Sequence, residues 1–139
     1  MKTVATAKSV YADPSALLKL YLHEPESQGM AVWRTKARGP LSVTHHGRVE
    51  LVDGIALAAH RKLIITQGRY VQADLLWRAV LNLAAKLSRD YSRHLGTRSL
   101  DVLHVASALE LGFSKFISFD IRQQNLVKAV GLKLLVPSI

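Results

Sequence analysis

Apolar positions along the chain follow two rhythms. Short runs with buried-strand character, Ser9 to Ala12, Leu41 to Val43, Phe116 to Phe119 and Lys133 to Val136, alternate with longer stretches in which apolar residues return every three or four positions. The first strand ends at Asp13, and Pro14, whose fixed φ suits the first helical position, introduces a helix through Leu22 that breaks before Pro25. A second helix is predicted from Glu26 to Lys36, and Gly39-Pro40 punctuates the chain before the second strand. From Thr44 to about Arg61 the apolar positions 49, 51, 52, 55, 57 and 58 keep one face, with Glu50 in the first turns. The longest helical pattern runs from Ala73 to about Tyr91, with Leu75, Leu76, Val80, Leu83 and Leu87 on its buried side. Ser99 opens another helix, closed by Gly112, where a left-handed cap carries no Cβ penalty. Asp120 ends the Phe116 to Phe119 strand, a helix runs to about Val130, and Gly131 leads into the last strand.

Strands and helices alternating at these lengths imply right-handed crossovers. The expected fold is α/β: three layers, α/β/α, around a central, mostly parallel sheet, with residues 1–139 forming a single domain. Composition agrees. A chain of 139 residues that is 49% hydrophobic and 6% aromatic supports one aliphatic core. Its apolar runs fall short of the roughly 20 residues that a membrane helix needs, so no membrane association is expected. The segment Met1 to Lys8 does not read as a secretory signal, which makes the cytoplasm the expected location. The chain has no cysteine, so disulfides, thiolate metal sites and cysteine nucleophiles are excluded, and any metal must take oxygen or imidazole ligands.

Four acidic residues stand out against this pattern. Asp13, Glu50, Asp101 and Asp120 lie where strands and helices meet, each set in apolar sequence. Parallel α/β sheets bind ligands beyond the carboxyl ends of their strands, and Asp13 and Asp120 each follow a predicted strand directly. Asp101 opens a helix and Glu50 lies near the start of another, so all four can reach one edge. Any one aspartate at such a place is also an ordinary helix cap. Four together are expected to gather around a hard divalent cation, because uncompensated carboxylates repel one another.

Nineteen Lys and Arg against ten Asp and Glu give a net charge of +9, which favours nucleic acid or an acidic protein as partner. The basic residues are spread (Arg34, Lys36, Arg38; Arg61, Lys62; Arg89, Arg93, Arg98; Lys128, Lys133), so a backbone-tracking surface is expected and not a charged arm. Acidic ligands in a basic chain read as a metal-dependent nuclease, in which one or two Mg²⁺ ions would activate water, neutralise the phosphate and stabilise the leaving oxygen. The competing reading is a non-enzymatic nucleic-acid-binding or partner-binding module whose acids are only caps.

Tyr11-Ala-Asp-Pro-Ser-Ala-Leu-Leu-Lys-Leu-Tyr-Leu22, the internal Glu50, Leu100-Asp-Val-Leu-His-Val-Ala-Ser-Ala-Leu109, and Phe119-Asp-Ile-Arg-Gln-Gln124 leading to Gly131-Leu132 resemble the successive motifs of PIN domains, nearest to the VapC-type toxins of toxin–antitoxin pairs. The resemblance implies a Mg²⁺- or Mn²⁺-dependent endoribonuclease acting on RNA, usually a homodimer, silenced by a cognate antitoxin protein. By position the family's acidic set falls on Asp13, Glu50, Asp101 and Asp120, with Ser15 as the hydroxyl beside the first aspartate. A PIN nuclease acting in RNA maturation or on DNA would carry the same residues.

Other residues carry both a functional and an ordinary reading. Arg98 and Arg122 flank site acids and are candidates for phosphate contact or for pairing with those acids. His104 lies three residues after Asp101 on one helical face, in an apolar run that favours a hydrogen-bonded, semi-buried histidine. The adjacent His45 and His46 point in different directions on any regular element, which argues against joint ligation. Asp53 shares a face with Glu50, and Trp33, Trp77 and Tyr70 read as core or interface. Leu18, Leu22, Met30 and Trp33 look like more apolar surface than one small sheet needs, the basis for expecting an isologous homodimer.

Overall fold

A computed structural model of the chain describes residues 10–21, 24–37, 39–54 and 70–138. Five short strands form one sheet: β1 (Val10–Ala12), β2 (Leu41–Thr44), β3 (Tyr70–Ala73), β4 (Lys115–Ile117) and β5 (Lys133–Leu135), in the order β3-β2-β1-β4-β5. Every pairing is parallel, with Tyr11 opposite both Ser42 and Phe116. Helices α1 (Pro14–Leu18), α2 (Ser27–Lys36) and α3 (His45–Gly54) belong to one half of the chain. In the other half are α4 (Trp77–Leu87), a π-helical turn at Ser88–Ser92, the short α5 (Arg93–Leu95), α6 (Ser99–Glu110) and α7 (Ile121–Ala129).

Strand alternation divides the core in two. Tyr11 and Phe116 point to one face, where they pack with Val80 and Leu87 of α4, Val102, Val105 and Ala106 of α6, and Leu126 and Val127 of α7. Val10, Ala12, Leu41, Val43 and Ile117 point to the other, against Ala16 and Leu17 of α1, Met30 of α2 and Leu51 of α3. This is the expected three-layer α/β/α arrangement. Met30 is fully buried, and Leu18 and Trp33 pack against the same cluster. Met30 therefore belongs to the chain's own core and offers no surplus surface, while Leu18 and Trp33 stay partly exposed at its margin; Leu22 lies outside the described residues.

Three elements depart from the sequence expectation. Helix α1 ends at Leu18, short of the expected end at about Leu22, and Lys19 to Tyr21 continue only as turns. Tyr70–Ala73 is an edge strand paired with β2, whereas the helical pattern had been extended back to Ala73; the helix starts only at Trp77. At its other end that helix continues past Tyr91, widening through Ser88–Ser92 before Gly96, with φ of 65°, closes it. Residues four apart drift around an α-helix, and the wider turn returns Leu87, Tyr91 and Leu95 to the same core face. Gly112, with φ of 79°, is the expected left-handed position after α6. The expected third helix is present from His45 to Gly54, while its continuation to Arg61, together with Ser9, Arg38 and Lys62, lies outside the described residues. Among the described residues no helix is long and apolar enough to cross a membrane.

Candidate active site

The chain leaves β1 toward β2 and β3 on one side, then returns to β4 and β5 on the other, so a crevice opens at the carboxyl ends of β1 and β4. The Asp13 amide donates to the Ile117 carbonyl at 3.1 Å, carrying the ladder one residue beyond β1 and fixing Asp13 at that edge. A cavity of about 650 Å³ lies there, lined by Asp13, Glu50, Asp101 and Asp120 together with Ser15 and Arg98. All four predicted acids thus face one cavity.

The three aspartates are helix caps as well. Asp13 Oδ2 accepts the Ser15 amide at 3.0 Å and also the Ser15 hydroxyl. Asp120 Oδ1 accepts the Gln123 amide at 3.0 Å, and Asp101 Oδ2 reaches back to the Arg98 amide at 3.3 Å. The capping and functional readings are therefore compatible, since the caps point three helix N-termini, with their partial positive charge, at the acidic edge.

Each acid has a further tether. The side chain of Gln123, fully buried on α7, donates from Nε2 to Asp13 Oδ1 at 3.0 Å and to the Asp101 carbonyl at 3.2 Å. His104, on α6, meets Glu50 Oε1 through Nε2 at 2.7 Å, with the carboxylate oxygen as acceptor. The Arg98 guanidinium, 72% exposed, stands 3.5 Å from Asp101 and 3.9 Å from Asp120. Arg122 is exposed and does not line the cavity, but a Cβ on Gly96 would lie 4.0 Å from its Cδ, which sets it beside the loop that carries Arg98.

Electrostatically the site lacks balance. Burial pushes the Asp101 carboxyl above the ordinary range, the Arg98 amide and guanidinium oppose this, and the charges of Asp13 and Asp120 add to it. No three His, Asp or Glu side chains among the described residues form a preformed metal cluster. The donor set nevertheless fits a hard divalent ion: it is all oxygen, it is negative within a basic chain, and Asp101 gains from any cation placed beside it. Mg²⁺ retains several of its waters and does not require three protein oxygens in contact.

A family model described as PIN domain matches residues 10–129. The chain belongs to the PIN domain family. The VapC-type likeness read from the motifs also holds. The chain is 27% identical over 134 residues to Ribonuclease VapC46 of Mycobacterium tuberculosis (strain ATCC 25618 / H37Rv), covering 94% of this chain and 98% of that protein. It is 29% identical over 131 residues to Ribonuclease VapC47 of Mycobacterium tuberculosis (strain CDC 1551 / Oshkosh), covering 88% and 92%. The crystal structure of FitAcB from Neisseria gonorrhoeae superposes with a TM-score of 0.62 over 91% of this chain and 96% of that one; at 15% identity the likeness is one of fold.

Within this PIN domain, the sequence reading passed over Gln123 and Lys19. Lys19 lines the acidic cavity and pairs with Glu24 at 2.7 Å and Glu26 at 3.0 Å. Burial works against its charge, but the two carboxylates prevail and hold the ammonium above its ordinary range. His45 pairs instead with Asp74 at 3.0 Å, and His46 stacks on His104, so the two histidines do diverge. The side chains of Asp53 and Tyr70 lie outside the described residues.

Proposed function

We propose that this PIN domain is a metal-dependent endoribonuclease that hydrolyses RNA phosphodiester bonds, the toxin of a type II toxin–antitoxin pair acting in the cytoplasm. The observation that carries the reading is the meeting of Asp13, Glu50, Asp101 and Asp120, residues up to 107 positions apart, at one cavity on the switch-point edge of the sheet. Support for RNA as substrate comes from two relatives whose names are those of ribonucleases.

Asp13 and Asp101 would hold Mg²⁺ or Mn²⁺, with Asp120 and Glu50 direct or through water. When bound, the metal supplies activation of water and neutralisation of phosphate charge. The protein's own part is orientation. Gln123 and the Ser15 hydroxyl fix both oxygens of Asp13, so its carboxylate cannot rotate away from the edge. Glu50, engaged through one oxygen, keeps the other for orienting the attacking water. Arg98, placed over Asp101 and Asp120, is free to swing by its exposed stem toward the RNA backbone, with Arg122 beside the same loop. Phosphate contacts of this kind weaken with salt.

The same reading carries a cognate antitoxin and a homodimer. Its apolar contact surface would involve Val49, Leu76, Trp77 and Leu81, the exposed large side chains of α3 and of α4 with the residue before it. Trp77 meets His46 edge-on, which brings those two elements together. Sedimentation giving a dimer at micromolar concentration is expected; a monomer removes that part.

Purified protein should cut a fluorescent RNA with Mg²⁺, stop with chelator, and lose about 10³-fold or more in kcat as Asp13→Asn. RNA binding without cleavage under any divalent metal would favour the non-enzymatic binding module.

A further inference from the structure

Behind the acidic edge runs a chain of buried polar side chains that the catalytic reading does not use. Tyr11 Oη lies 2.7 Å from His104 Nδ1, and His104 Nε2 lies 2.7 Å from Glu50 Oε1. Tyr11 and His104 are each 1% exposed, while the Glu50 side chain is 30% exposed at the cavity. Three elements that meet only in the folded protein, β1, α6 and α3, contribute one member each.

The imidazole has no room to turn. The His46 ring stacks on it at 4.5 Å between centroids, 30° from parallel. On the same helix, a Cβ at Gly47 would stand 3.3 Å from His104 Cε1, so the glycine allows α3 its close approach. His46 and Glu50 are one helical turn apart, which lets α3 offer a ring to the face of His104 and a carboxylate to its edge. Burying a phenol and an imidazole is costly unless their hydrogen bonds are all made. Here one end of the chain of side chains is a site carboxylate, while at the other end Tyr11 also meets the hydroxyls of Thr44 and Ser107, which bond in turn to the Gly47 amide and the Leu103 carbonyl.

We propose that Tyr11 and His104 are positioning residues for Glu50: the Tyr11 hydroxyl fixes the His104 tautomer, and the resulting Nε2–H holds Oε1 so that Oε2 faces the cavity. The Glu50 carboxylate can only accept, which calls for the ring proton on Nε2; Nδ1 of a neutral imidazole is then an acceptor, and the Tyr11 hydroxyl donates to it. The ring proton then sits on Nε2, aimed at Glu50. This is the role that outer hydrogen bonds play around metal-binding carboxylates and histidines. The proposal rests on Glu50 being a site carboxylate.

Two-bond ¹H–¹⁵N spectra of the full chain, without metal or RNA, test the tautomer directly. They should show the His104 proton on Nε2 in the unaltered protein and a mixture in Tyr11→Phe. Calorimetric titration with Mg²⁺ should show about 10-fold weaker binding in Tyr11→Phe, and that loss should vanish in a Glu50→Ala background. In RNA cleavage, Tyr11→Phe should lower kcat about 10-fold with KM within about twofold. His104→Gln, whose amide still donates to Glu50, should keep more activity than His104→Leu. A proton found on Nδ1 overturns the proposal, as does unchanged Mg²⁺ affinity in Tyr11→Phe or an equal loss with and without Glu50. Tyr11→Phe keeps the ring and the fold, so it decides the matter even where His104→Leu fails to fold. Should the unaltered protein cut no RNA, the nuclease reading fails, while the spectra and the Mg²⁺ titrations still decide this one.

Discussion

Asp13 and Glu50 are held from behind by Gln123 and His104, which are 0% and 1% exposed, whereas Asp101 and Asp120 share Arg98, which is 72% exposed. The two pairs of carboxylates line one cavity yet are fixed by opposite means. A buried amide or imidazole with its partners made has one geometry, because any other leaves polar atoms unpaired in a medium that penalises them. An exposed guanidinium at 3.5 Å and 3.9 Å contributes little to stability and can leave without cost to the core. The inner pair is thus preorganised. The outer pair keeps its backbone caps but has an arginine that can leave, which suits a rim where substrate charge must replace it.

Gln123 gives that contrast its sharpest test. Among the described residues its Oε1 is buried without a hydrogen-bond partner, while Nε2 keeps its bond to Asp13. Gln123→Leu removes both the orphan and the tether. Stability should change by less than about 1 kcal/mol because these terms oppose, while kcat for RNA falls about 10- to 100-fold. A parallel fall in thermal midpoint and kcat would mean that Gln123 serves only the core.

Arg98→Ala probes the outer pair and should act on binding. KM for RNA is expected to rise about 3- to 10-fold with kcat nearly unchanged, the thermal midpoint should move little, and the salt slope of binding should fall by about one. Next in size, Asp101→Asn relieves a carboxyl whose pKa is raised by burial and by neighbouring acids. The folded metal-free protein resists its ionisation, so Asp101 costs stability above the ordinary carboxylate range and returns it as pH falls. Calorimetry at pH 7 should find metal-free Asp101→Asn more stable than the unaltered protein, with much of the Mg²⁺-induced rise lost.

The smallest effect belongs to the ring stacked behind the inner pair. Burial, with His104 and then His45 adding to it, lowers His46 to about 4 from 6.5. Between those values the unfolded chain takes a proton that the folded chain refuses, so stability should fall on acidification from about pH 6.5 to 4. A part of that slope, on the order of 1 kcal/mol after allowing for partial exposure, should disappear in His46→Gln.

The sequence made the acids legible because three of them sit at element boundaries, where a strand or helix signal fixes their direction. Strand β3 was not legible: Tyr70 to Ala73 is only four residues long, and Ala73 to Leu76 extends the apolar spacing of α4 backward, so one helix absorbed both. The tethers were invisible for a different reason. Gln123 lies 110 positions from Asp13 and His104 lies 54 from Glu50, so no local spacing links either pair. His104 drew attention through its place one turn from Asp101, yet its bond goes to another helix. The apolar face was overestimated at Met30, which is buried in a second cluster beneath α1 and α2 that the sheet's outer face requires, while Trp33 packs partly against it.

Anomalous diffraction from a crystal of the full chain soaked in Mn²⁺ puts the cation pocket to its most direct trial. A peak between Asp13 and Asp101, within reach of Glu50 and Asp120 directly or through water, is the result required. A peak elsewhere, or none at a Mn²⁺ concentration that supports RNA cleavage, would contradict it.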